Sequence, residues 1–391
     1  MKSETEDNLL VAYPEENITS NNAAQFEQDL SALLAGSPGM ELVIDAGYIT
    51  YMSSAGLRVL IKLSQDRDTP LTVRNVGSEL YEIFDITGFT DILNVQRKMR
   101  SISIDGCEII GKGAMGTVYK IDDDTIVKVY EPSVSLEIIN KERERARQAF
   151  IKGIPTAISF DLVRIGGQYG AVFELLKAEN LNDVVAGNPD KQDELIDTYV
   201  ELIRKIHSIE AQPGQFPDAK EVFAGYLDKL NDVLPSDISD RVRGLLVSMP
   251  ECNTITHGDI QMKNVMMTEN EPMFIDMETL SIGSPIFDLQ GLYVTYIAFP
   301  EDEPDNTMKF IGISRERCER IWQRILTDYF EGLSEEQIRQ KEDKIRVVAY
   351  IRFLNIIATL GITVPELLQV RIDHTIGHLR ELLDRVDTLE L

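Results

Sequence analysis

The chain has 391 residues, 43% of them hydrophobic, and carries a formal net charge of −26 with a pI of about 4.6. That length fills two or three domains with cores of their own, while so acidic a surface argues against nucleic acid or an anionic membrane as the main partner. There is no signal-peptide pattern and no apolar run of about 18 residues, and Cys107, Cys252 and Cys318 are scattered without metal spacing, as expected of reduced thiols in a cytoplasmic protein.

In chain order, residues 1–8 are polar and are expected to fray. Leu9-Leu10-Val11-Ala12-Tyr13 reads as a strand. From Asn21 to Leu34 the apolar residues Ala24, Phe26, Leu30, Leu33 and Leu34 recur at helical spacing, and Gly36-Ser37-Pro38-Gly39 ends that helix. Glu41-Leu42-Val43-Ile44-Asp45 is a second strand, apolar in its middle like a buried one. Ser53 or Ser54 caps a helix whose apolar face includes Leu57, Leu60 and Ile61. Leu71-Thr72-Val73 is a third strand, and residues 79–86 form a short helix that stops at Gly88-Phe89. Alternating strands and helices over a hundred residues predict a small α/β domain.

Three stretches, Leu42-Val43-Ile44-Asp45, Tyr51-Met52-Ser53-Ser54-Ala55-Gly56-Leu57 and Thr87-Gly88-Phe89, resemble the STAS domain of bacterial anti-sigma factor antagonists over about residues 7–98. The resemblance implies a regulatory domain, with an anti-sigma factor or another STAS-binding regulator as its partner. It also implies phosphorylation of the serine that opens the second helix, which by the match to Ala55-Gly56-Leu57 is Ser54. Ser53 stands where many members of that family have Asp.

A short basic hinge, residues 97–100, leads to a strand at 104–110 and then to Gly111-Lys112-Gly113-Ala114-Met115-Gly116. A lone Gly-x-Gly-x-x-Gly could also open a dinucleotide-binding helix. Here it joins the strand at 104–110 to a second strand, Val118-Tyr119-Lys120-Ile121, and an Asp122-Asp123-Asp124 turn leads on to a third, Thr125-Ile126-Val127-Lys128-Val129-Tyr130. That is the arrangement of a loop whose backbone N–H groups approach nucleotide phosphates, with Gly111, Gly113 and Gly116 permitting the approach. Lys128 lies mid-strand in an apolar run, where an unpaired charge is costly; α- and β-phosphates and a carboxylate would account for it. In the helix over 136–150, Ile138, Ile139, Glu142, Ala146 and Ala149 share one face, so Glu142 is the expected partner of Lys128 and Glu144 points away. Ile154-Pro155-Thr156 is expected to open the next strand pair. Residues 170–176 run as a strand into a hinge where backbone groups of Glu174 and Leu176 would meet adenine, and residues 181–185 start a mostly helical second lobe.

The densest chemistry is His257-Gly258-Asp259-Ile260-Gln261-Met262-Lys263-Asn264, followed by Asp276 on the next hairpin strand. Phosphoryl transfer needs a carboxylate at the attacking hydroxyl and oxygen ligands that hold Mg²⁺ against the phosphates. Asp259 fits the first need, and Asn264 and Asp276 fit the second. Asp288 reads as the cap of the following helix; resemblance to kinase-like folds implies that an acid here holds the catalytic-loop backbone. His207, closing a helix, reads as structural, and His374 and His378, four residues apart with no acid or Cys pattern beside them, read as surface or packing histidines rather than a metal pair.

Residues 102–391 resemble the aminoglycoside phosphotransferase and choline kinase branch of the protein-kinase-like superfamily. His257-Gly258-Asp259 replaces His-Arg-Asp, Ile275-Asp276-Met277-Glu278 replaces Asp-Phe-Gly, Gln261 stands where Ser/Thr kinases carry a catalytic Lys, and Pro285-Ile286-Phe287-Asp288-Leu289 follows with no long activation loop. The expected fold is an α/β STAS domain, residues 1–98, followed by a two-lobed α+β protein-kinase-like domain, residues 99–391, with a small β-rich lobe at about 102–177 and a larger, mostly helical lobe at about 178–391. The expected activity is ATP- and Mg²⁺-dependent phosphotransfer to a hydroxyl, on a protein Ser/Thr of a bacterial regulatory pathway. Two alternatives stand beside it: a small-molecule kinase regulated by the STAS domain, and a nucleotide-sensing binding module without catalysis.

Overall fold

Apolar strand runs become the inner strands of one sheet in the first part of the chain. The computed structural model describes residues 1–6, 8–65, 69–113 and 115–391, and the chain divides into two units, Met1–Asp105 with Leu162–Gly170, and Gly106–Asp161 with Ala171–Leu391. In the first unit, five strands lie in the order β1 (Lys2–Glu6), β2 (Leu9–Tyr13), β3 (Glu41–Asp45), β4 (Thr72–Val76) and β5 (Asn94–Arg97). Strands β2 to β5 are parallel neighbours, as helical crossovers require. The crossovers are α1 (Ala23–Gly36), α2 (Ser54–Gln65) and α3 (Ser78–Ile86), which bury Phe26 and Leu30, Leu57 and Leu60, and Leu80 and Phe84. Each such side chain contributes about 1.5–3 kcal/mol by leaving water.

The expectation that residues 1–8 fray is corrected for Lys2–Glu6, which pairs antiparallel with β2; Asp7 lies outside the described residues. An exposed edge strand has no apolar face to announce it. Its tether is electrostatic: Arg74 on β4 reaches Glu6 at 2.9 Å and the buried Asp45 at 3.0 Å. At the start of α2, Ser53 is buried and accepts the Gly56 N–H at 3.4 Å, so Ser53 is the capping residue and Ser54 is the exposed first residue of the helix. Residues 97–100 are not a plain hinge either. Lys98 N–H bonds the Val76 carbonyl, and Arg100 and Ser101 pair in parallel with Val163 and Arg164.

The second unit opens with Glu108–Gly113, Gly116–Lys120 and Thr125–Tyr130 as an antiparallel meander in which Val118 lies opposite Lys128. Ala114, inside the glycine-rich turn, lies outside the described residues. Helix α4 (Leu136–Ile151) follows, capped by Ser135 and burying Ile139, Glu142, Ala146 and Ala149. Ile154-Pro155-Thr156 does not open a strand pair; the strands are Asp161–Ile165 and Gln168–Glu174. Pro155 offers no N–H, and this segment uses its carbonyls instead: Phe274 N–H donates to the Pro155 carbonyl, and Thr156 forms an isolated bridge to Phe274.

The remainder is mainly helical around Trp322, Tyr199, Tyr296 and Tyr350. Gln192–His207 turns Ile196, Tyr199, Val200, Ile203 and Ile206 inward at helical spacing, and the Tyr199 hydroxyl bonds the carbonyl of Ile260, the residue after Asp259. Among the described residues no helix is long and apolar enough to cross a membrane.

Candidate active site

Two short antiparallel strand pairs, the second a hairpin, bring the acidic residues together. Ile255–Thr256 pairs with Ser281–Ile282, and Val265–Met267 pairs with Pro272–Phe274. The first presents residues 257–264; the second ends beside Asp276. Asp276 is therefore not on the hairpin strand. It follows it, at φ 62°, in the left-handed region that a side chain occupies at a cost.

Asp259 is held by amides on both sides. Gln261 Nε2 donates to its Oδ1 at 2.7 Å and Asn264 Nδ2 to its Oδ2 at 3.0 Å. Asn264 Nδ2 also reaches the Asp259 carbonyl at 2.9 Å, which leaves Oδ1 as the atom Asn264 can offer a cation. Asn264 in turn positions the second hairpin, since its own carbonyl accepts the Ile275 N–H.

Lys128 Nζ lies 2.9 Å from Glu142 Oε1 and 3.3 Å from Asp276 Oδ1. Burial alone would depress this ammonium, but the Asp276 and Glu142 carboxylates outweigh it and hold its pKa above the ordinary value. Glu144 is exposed and pairs with Arg147 on its own helix.

Behind the loop stands Asp288. It is not the cap of its helix: Pro285 is, and Asp288 sits in the first turn of Ile286–Tyr293. Its buried carboxylate accepts the His257 N–H at 2.8 Å, the Gly258 N–H at 2.6 Å and His207 Nε2 at 2.9 Å. Burial would raise its pKa, but these bonds, led by His207, hold it below the ordinary value. His207 also meets the Tyr329 hydroxyl at 2.9 Å, so it is a strut between helices. His374 and His378 pair with Asp302 and Glu301 at 2.6 and 2.7 Å, and His378 stacks on Tyr350.

At the hinge, Leu175 N–H donates to the Asp124 carbonyl and Ala178 N–H to the Leu176 carbonyl, which fixes the backbone on either side of Leu176. Glu174 is exposed there.

A family model described as the phosphotransferase enzyme family matches residues 106–325, and a Mlab STAS domain model matches residues 15–95. The chain belongs to the phosphotransferase enzyme family. Its STAS domain is similar to the putative anti-sigma factor antagonist BtrV of Bordetella bronchiseptica, 32% identical over 92 residues, 23% of this chain and 78% of that protein. Among solved structures, aminoglycoside phosphotransferase APH(2'')-Ib with ADP bound aligns over 77% of this chain and 98% of its own at 15% identity and a TM-score of 0.49. A choline/ethanolamine kinase family protein from Mesorhizobium loti aligns over 71% and 88% at 16% identity and a TM-score of 0.45.

The phosphotransferase unit adds residues that the sequence reading passed over. Glu278 joins Glu142 and Asp276, and one carboxylate oxygen from each lies within 4.8 Å of the others. Burial first, and then the Asp276 charge, push the Glu278 carboxyl up to about 7. The signal was present as Asp276-x-Glu278, but a two-residue spacing announces shared space only when a turn brings both side chains inward. Arg145 donates from Nη1 to the Glu278 carbonyl at 2.5 Å, and Thr279 Oγ1 donates to the His257 carbonyl at 2.7 Å. These two contacts join segments far apart in sequence, and no local pattern encodes them.

Proposed function

We propose that the chain is an ATP- and Mg²⁺-dependent kinase that transfers the γ-phosphate to a hydroxyl of a regulatory protein, with the STAS domain as its regulatory part. The convergence of Lys128–Glu142, Asp259, Asn264 and Asp276 in one unit carries this reading. Lys128 would meet the α- and β-phosphates, with Glu142 fixing its ammonium. Gly111, Gly113 and Gly116 would let the loop backbone approach the phosphates, and the Glu174 carbonyl and Leu176 N–H would meet adenine. Asp259, oriented by Gln261 and Asn264, would align the acceptor hydroxyl. As the acceptor oxygen bonds to the γ-phosphorus and the bond to the bridging oxygen breaks, the hydroxyl proton passes to Asp259 Oδ.

The donor set suits Mg²⁺. Every candidate ligand atom is oxygen, as a hard cation prefers, and among the described residues the buried Glu278 Oε2 has no hydrogen-bond partner. Asn264 and Asp276 would hold the ion, with Glu278 beside them. When bound, Mg²⁺ neutralises charge building on the phosphate oxygens.

A small-molecule acceptor is the second reading. It is favoured by the short path from Asp276 to Asp288, which holds only the turn Met277–Thr279, the strand Ser281–Ile282 and the start of a helix, with no long segment to support a peptide. The third possibility, nucleotide sensing alone, sits poorly with a full set of acid, amide and lysine. The test is incubation with labelled ATP and Mg²⁺, alone, with candidate proteins and with a metabolite panel. Asp259→Asn should keep nucleotide affinity while transfer falls by a factor on the order of 10² or more. Lys128→Met should lose much of the thermal shift given by MgATP. Wild-type turnover in Asp259→Asn would remove it from the chemistry.

A further inference from the structure

Asp276 is held in a conformation that costs energy, so something around it must hold it there. Three contacts grip Asp276 and the residues that follow it. Lys128 pairs with Asp276 itself at 3.3 Å. Thr279 Oγ1 bonds the His257 carbonyl at 2.7 Å. Between them, Arg145 donates to the Glu278 carbonyl at 2.5 Å. Arg145 lies three residues after Glu142, a spacing that places both on neighbouring positions of one helix surface. Helix α4 thus reaches the acidic segment twice, through Glu142 by way of Lys128 and through Arg145 directly. The Lys128–Glu142 pair, α4, Arg145, the Glu278 backbone and Asp276 form a closed ring.

The surroundings support a mechanical role for Arg145. It lines a cavity of about 250 Å³ together with Gly258, Glu278 and Thr279, with Phe223 and Phe287 as apolar wall. In this partly enclosed place a guanidinium–carbonyl bond is charge-assisted and stiff. Its acceptor is a backbone oxygen, so it fixes the path of the chain rather than the rotamer of the Glu278 side chain.

We propose that Arg145 is a positioning residue for the cation-binding segment: it holds residues 276–278 so that Asp276 and Glu278 present their oxygens together, and thereby sets how strongly a divalent cation promotes nucleotide binding. This rests on the kinase reading above. Residues that orient metal ligands are worth about 10–100-fold in metal affinity, and the lower end applies because Lys128 and Thr279 remain.

The experiment is calorimetric titration of the full chain with ATP, once with Mg²⁺ and once with EDTA, for wild type, Arg145→Met and Arg145→Lys. In Arg145→Met the gain in affinity that Mg²⁺ gives should shrink by about tenfold, while metal-free ATP affinity, which also reports an intact fold, stays at the wild-type value. Arg145→Lys keeps a cationic donor and should recover part of the gain. A full Mg²⁺ gain in Arg145→Met overturns the inference alone, as does an equal loss with and without metal, which would mark a merely structural role. A wild type whose ATP affinity ignores Mg²⁺ overturns the kinase reading and this inference with it.

Discussion

Asp288 is buried, charged and surrounded by donors, so its replacement tests how the loop at His257 and Gly258 is held. Asp288→Asn keeps the shape but turns one acceptor into a donor facing the His257 and Gly258 N–H groups or His207. A stranded buried donor beside a lost charge costs on the order of 3 kcal/mol, and the melting temperature should fall by several degrees. The pH dependence follows from the depressed pKa. A carboxylate whose folded pKa lies below its unfolded value contributes stability that is complete above the unfolded value and is lost as pH falls through the folded one. The melting gap between wild type and Asp288→Asn should therefore be full at about pH 7 and narrow in acid, below the ordinary aspartate range. A gap that widens in acid would show that the carboxylate does not act as an anion. At this scale the sequence was informative wherever spacing was local. Glu142 could be chosen over Glu144 because helical period places it with Ile139, Ala146 and Ala149, and it lies 2.9 Å from Lys128. Arg145 was not legible, because its partner is a backbone carbonyl 133 positions away.

Elements meet closely where the loop before Asp259 passes the turn after Asp276. Gly258 has φ 82°, and a Cβ built there would lie 2.5 Å from the Thr279 carbonyl oxygen. Both facts exclude a side chain, which explains glycine where protein kinases place arginine. Gly258→Ala should cost more than the ~1–2 kcal/mol of a left-handed alanine, and should impair phosphotransfer by pushing Thr279 off the His257 carbonyl. Gly225 is the control. It lies inside helix Ala219–Lys229 with nothing within 4 Å of a built Cβ, so Gly225→Ala should stabilise the fold by up to about 1 kcal/mol through helix propensity and raise the melting temperature. Equal melting temperatures for the two variants would refute the close packing at Gly258. Strands and helices with a buried face were readable from hydropathy period. Lys2–Glu6 was not, since all of it is exposed and its register depends on β2 and on Arg74. Ile154-Pro155-Thr156 misled for a related reason: it looks apolar enough for a strand, but its partner is Phe274, far along the chain.

Across the whole molecule, a STAS-like region followed by a kinase-like fold was legible because STAS and phosphotransferase motifs are each local in sequence; that Leu162–Gly170 groups with the first unit was not. What joins them functionally is the last prediction: Ser54 is phosphorylated, and this kinase does it. Ser54 is exposed at the first position of α2, while its neighbour Ser53 is buried and already spends its oxygen on the Gly56 N–H. The modification would therefore fall on the free hydroxyl and leave the cap in place. A phosphate there adds about −1.5 to −2 charge, stabilised by the N–H groups and dipole of the helix start. It would alter the face offered to a regulator without unfolding α2. Transfer between two molecules makes the rate rise with protein concentration. Wild type, Ser54→Ala and Asp259→Asn are incubated with MgATP and read by mass spectrometry. Phosphate on Ser54 in wild type, with none in Asp259→Asn, is the expected result. Ser54→Ala should still bind MgATP, since the substitution lies outside the phosphotransferase unit. An unmodified Ser54 in enzyme that phosphorylates another acceptor would sink self-phosphorylation and leave the STAS domain to act by docking.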